Sequence, residues 1–184
     1  PESAPKLAGA SERERVVDET GTERGAKLLA EIKSVQLLVA QFSHDPTGNI
    51  GRIVLSKARE AIERAGLEEA FGVERNPALC VVTLELGPTS GAAGARELTL
   101  SMLVLCKSTT ENGRPQVVQV WKERDQVGTL SVQSLYRGVI PPIAQTKTSN
   151  FFRTFTSSVR KAEREQEDSA KEAEEQASGG ESAP

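Results

Sequence analysis

The stretch ALCVVTLELGPTSGAAGARELTLSMLVLCKSTTENGRPQVVQVWK, residues 78–122, decides the fold. It holds three β-branched and leucine-rich runs, 78–86, 97–107 and 116–122, each bounded by turn residues. Asn112-Gly113 separates the second run from the third and predicts a two-residue type I′ hairpin, which needs positive φ at both central residues. Pro115 just inside the third run predicts a bulge or an edge position there, because proline cannot donate to a ladder. The looser GPTSGAAGA, 87–95, joins the first run to the second. The three runs therefore read as an antiparallel meander.

Alternation divides this meander into two faces. Cys80, Val82, Leu84 and Leu86, with Leu98, Leu100, Met102, Val104 and Cys106, form a nearly wholly apolar side that should meet helices. Val81, Thr83 and Glu85, with Thr99, Ser101, Leu103 and Leu105, form a mixed side. It reads either as an ordinary solvated sheet face with scattered apolar groups or as a face whose Val81, Thr83, Leu103 and Leu105 lie under a partner protein.

Outward from the meander, KSVQLLVAQF (33–42) predicts a further buried strand. It is followed by a helix with Ile50, Ile53, Val54, Ala58, Ala61, Ile62 and Ala65 on one stripe and Gly66 as its left-handed stop. Downstream, Ile140, Ile143, Ala144, Thr148, Phe151, Phe152, Phe155, Val159 and Ala162 recur at three and four, a second long helix with Pro141-Pro142 in its first turn. Residues 123–139, bracketed by Gly128 and Gly138, admit loop, strand or helix. The expected fold class is α/β (α+β): a two-layer sandwich in the order β-α-β-β-β-α, with a four-stranded, mostly antiparallel sheet and two helices on one face. The first strand is expected beside the second, with a right-handed crossover if parallel to it.

The 184 residues fit one domain with tails. Residues 1–27 are rich in Glu, Arg, Ser, Ala and Gly and predict an unstructured segment, with a short helix around Glu23–Ile32 as the alternative. Residues 28–162 form the domain. Residues 163–184 hold eight acids against two bases and predict a solvated tail, first helical, then unstructured. The net charge of −3 thus conceals a mildly basic middle, which lacks the basic stripe of a nucleic-acid binder. The basic and aromatic residues of KTSNFFRTFTSSVRK (147–161) do not supply one, since the phenylalanines fall on the helix's apolar stripe. No run is long and apolar enough to span a bilayer. The chain begins at Pro1 without a methionine, which implies that an upstream piece, a signal segment or a cloned boundary, was removed.

Candidate chemistry is sparse. SHDPTGNIGR, 43–52, gathers the chain's one histidine with two glycines and an arginine. It lacks the G-x-x-x-x-G-K-[ST] spacing of a phosphate loop and reads as a turn in which Thr47 or Asn49 caps the following helix. His44, Asn49 and Arg52 remain candidates for a weak anion site at that helix N-terminus. The hairpin loop, centred near Ala92 or Ala93, makes Cys80 and Cys106 candidate cross-strand neighbours. A disulfide would fit an exported protein and two buried thiols a cytoplasmic one. No catalytic, cofactor or zinc-ligand set is evident.

The element order over 33–162, closing with an amphipathic helix after the strand that carries Trp121, resembles small bacterial cell-envelope domains, namely the lipopolysaccharide-assembly and transport-auxiliary lipoproteins. The resemblance implies an exported, non-catalytic partner of a larger membrane assembly. Such lipoproteins carry a lipid-modified N-terminal cysteine. Here no cysteine precedes Cys80, so no family site residue carries over. Two functions are therefore expected: an interaction domain that binds a protein, a second copy included, through the open sheet face or a strand edge; or a small-ligand or phosphate-binding protein that uses the loop before the first long helix.

Overall fold

The computed structural model describes residues 16–40, 49–70, 77–88, 95–131 and 140–179. Their elements are β1 (Val16–Asp18), α1 (Glu23–Ala30), β2 (Ser34–Val39), α2 (Asn49–Arg64), β3 (Glu68–Glu69), β4 (Ala78–Pro88), β5 (Ala95–Thr109), β6 (Pro115–Ser131) and α3 (Ile140–Gly179). The six strands form one sheet in the order β1-β6-β5-β4-β2-β3. The meander β4-β5-β6 is antiparallel, while β2 runs parallel to β4 and β3, and β1 parallel to β6. The expected α/β class and the place of β2 beside β4 match the structure.

The expected count of four strands and two helices is corrected to six and three among the described residues. The additions are short. β1 has three residues and β3 two, below the length at which alternation can be read. Residues 16–22, expected to be unstructured, hold β1, and the short helix read as the alternative around Glu23–Ile32 is α1, Glu23–Ala30. Local hydrogen bonds and burial order them: Thr22 accepts from the Gly25 amide at 3.0 Å as N-cap, and Leu29 and Ala30 enter the core. Within 123–139, β6 continues to Ser131, and the remainder lies outside the described residues.

All three helices pack in one cluster with the inward strand residues, which include Cys80, Val82, Leu98, Leu100, Met102 and Val104. From α2 come Ile50, Val54, Ala58 and Ile62; from α3 come Phe151, Phe152, Phe155 and Val159. The predicted stop of α2 is a Schellman turn. Gly66 takes φ +74°, the Leu67 amide donates to the Ile62 carbonyl at 3.1 Å, and the Gly66 amide donates to that of Glu63 at 3.0 Å. Leu67 then packs on the core that Ile62 enters.

The type I′ expectation for Asn112-Gly113 is corrected. Only Gly113 has positive φ, at 73°, with its amide donating to the Thr110 carbonyl at 2.8 Å. This is a longer loop with a left-handed glycine, which spares Asn112 a strained conformation. Pro115 opens β6, where the missing N–H donor costs least. One register shift in β6 leaves Val120 as an extra residue between the Leu105–Gln119 and Val104–Trp121 pairs. Val120 and Trp121 are consequently both buried.

Candidate interaction face

On the sheet side away from that core, register assembles the outward residues into rows. Leu38 pairs with Val81, Val81 with Leu103, and Leu103 with Lys122. The next row runs Gln36, Leu79, Leu105, Gln119 and Asp18. On the other flank Thr83 meets Ser101 and Ser101 meets Arg124. The result is an apolar band of Leu38, Leu79, Val81, Leu103 and Leu105 across three strands, flanked by polar side chains. Val81, Leu103 and Leu105 are half-buried by their neighbours, and Leu38 is 51% exposed.

The four residues expected on this face thus lie together, Val81 directly opposite Leu103. The sequence reading missed Leu79, whose parity with Val81 on the same strand was legible, and Leu38, whose parity was not. What it lacked was the β2–β4 register, which no local signal carries. At the β6 side the band ends in charge. Lys122 holds Asp18 at 2.5 Å, and Lys122 and the Thr20 hydrogen bonds keep the Asp18 carboxyl well below the usual carboxylate range.

The other candidates do not converge. Asn49 and Arg52 stand in the first turn of α2, and His44 lies outside the described residues. A cleft of about 650 Å³ opens elsewhere, at the sheet end where β2 begins, lined by Ile32, Lys33, Ala78, Cys106 and Lys107 among others. Cys80 is opposite Val104 rather than Cys106, and Cys106 is opposite Val118. The two cysteines are diagonal neighbours, roughly 7–8 Å apart in such ladders, beyond comfortable disulfide reach, and both are buried free thiols. The expected cross-strand pairing of Cys80 with Cys106 is corrected on this register. Burial raises the Cys80 thiol far above its ordinary value, and burial together with Glu31 pushes Cys106 up to about 11. Neither is a ready nucleophile at neutral pH. Among the described residues no three His, Cys, Asp or Glu side chains group as metal ligands. No described helix is long and apolar enough to cross a membrane.

Among the described residues, fold and face together define a two-layer α/β domain with its helices on one side of the sheet and an apolar band on the other. No family model and no curated protein matches the chain. Among solved structures it is similar to a minor lipoprotein from Acinetobacter baumannii, at 11% identity over 68% of this chain and 91% of that one, TM-score 0.31. It is similar also to rare lipoprotein B from Shewanella oneidensis, at 12% identity over 73% and 98%, TM-score 0.35.

Proposed function

We propose that this chain is a non-catalytic interaction domain that binds a partner protein through the open face of its sheet. The single observation that carries this reading is the continuous apolar row Leu38–Val81–Leu103, seconded by Leu79–Leu105, on the side opposite the helical layer. A contiguous apolar band rimmed by polar groups is a recognised mark of an interface. The cell-envelope setting is part of the proposal and rests on the fold-order resemblance of residues 33–162.

Site-specific photo-crosslinking in cells tests the reading. A crosslinker at Leu103 or Val81 is expected to capture a discrete protein adduct, and one at exposed Ser56 on α2 is not. Leu103→Glu should abolish the adduct formed from Val81 while leaving the unfolding midpoint nearly unchanged, since the position is only half-buried. Equal labelling from both layers, or none from the sheet face, sinks the proposal.

A further inference from the structure

We infer that α3 pairs with α3 of a second copy of the chain, antiparallel, through its outward face. This involves a surface other than the sheet face, and either reading stands without the other. The helix has 40 residues, about 60 Å at 1.5 Å per residue. Its last buried residue is Ala162, and residues 164–176 are all exposed. A helix that is polar all round gains little stability alone.

The charge on the outward face is ordered. Arg153, Arg160 and Arg164 recur at seven and four, opposite the stripe of Phe152, Phe155 and Val159 that enters the core. Farther along that same face the residues become Glu167, Asp168 and Glu174, with Lys171 the one base among them. Among the described residues neither Arg153 nor Arg164 makes an ion pair. Arg160 is steadied from beneath, donating to the Arg64 carbonyl at 3.2 Å. A shallow cleft of about 600 Å³ runs beside these residues, lined by Arg153, Ser157, Arg160, Arg164 and Asp168 among others.

A basic half followed by an acidic half on one face is self-complementary when the helix meets its own copy antiparallel. A two-fold axis between Glu163 and Arg164 sets Arg160 against Glu167 of the second copy and Arg153 against its Glu174. Each contact occurs twice, as a closed isologous pair requires. A parallel pairing would set like charge against like. Exposed ion pairs are individually weak and screened by salt, so the pairing is salt-labile.

Analytical ultracentrifugation of the full chain tests this. At about 50 mM salt the mass is expected to approach twice the 19.8 kDa of the chain, with dissociation strengthened about tenfold or more by about 500 mM salt. R153E/R160E/R164E and E167K/D168K/E174K should each be monomeric, and an equimolar mixture of the two should associate again. The Trp121 emission of each variant confirms an intact core. A photo-crosslinker at Ser157 in the wild-type chain should reach the segment around Lys171 of a second copy, which tests the alignment without a charge change. A monomer at low salt, a dimer indifferent to either reversal, or a mixture that stays monomeric overturns the inference.

Discussion

Trp121 of β6 meets Phe155 of α3 edge to face, with ring centroids 5.6 Å apart and planes at 61°. The contact ties the last strand to the last helix across the sandwich. Phe155 also meets Phe152, at 6.5 Å and 85°. Phe155→Ala should cost about 3–5 kcal/mol, the range for emptying a fully buried aromatic site. Trp121 is the chain's only tryptophan, so its fluorescence in urea reports the loss directly. A cost under about 1 kcal/mol would mean that the core does not close on this pair.

Two glycines separate conformational from steric cost. Gly66 has φ +74° and open space where a Cβ would stand, so Gly66→Ala should cost about 1–2 kcal/mol through backbone strain alone. Gly25 has ordinary φ, yet a Cβ there would collide with the Glu19 carbonyl. Gly25→Ala should therefore be the more damaging change, displacing β1 and α1 together. Denaturation midpoints of the two variants, measured side by side, check the order.

Glu123 faces inward on β6, beside Asp125, which pairs with Lys147 of α3. Among the described residues one buried Glu123 oxygen has no hydrogen-bond partner, and burial, then the Asp125 charge, raises its pKa from the ordinary 4.5. A carboxyl raised in the folded state favours folding while protonated and loses that contribution as pH climbs through its folded pKa. Glu123→Gln should thus stabilise the protein at pH 7 and change little near pH 4. Urea midpoints at the two pH values decide it, and equal shifts at both would remove Glu123 as the cause.

Cys80 and Cys106 should react with a thiol reagent at pH 8 about tenfold or more slowly than an exposed thiol, given their burial and raised pKa values. Two equivalents should appear once the chain is unfolded without reductant. Fewer than two would restore the disulfide that the strand register disfavours.

Much of the fold is written in local pattern. The stripe Ile50, Val54, Ala58, Ile62 set α2, Gly66 stopped it, and strict alternation in 80–86 and 98–106 divided the sheet into two faces. These signals are legible because each period is fixed by backbone geometry and repeats several times. β1, α1 and β3 were harder to read, being too short to show a period and owing their order to contacts such as the Glu19 amide donating to the Gln119 carbonyl at 2.9 Å.

The candidate face divides in the same way. That Val81, Leu103 and Leu105 point outward follows from sequence alone, because side chains alternate along a strand. That Val81 stands opposite Leu103, that Leu38 extends the row from a distant strand, and that Cys80 misses Cys106 by one diagonal follow only from register. Register is a property of the whole sheet, set by how loops and bulges close and by which apolar set the helices cover. No single segment of this chain contains that information.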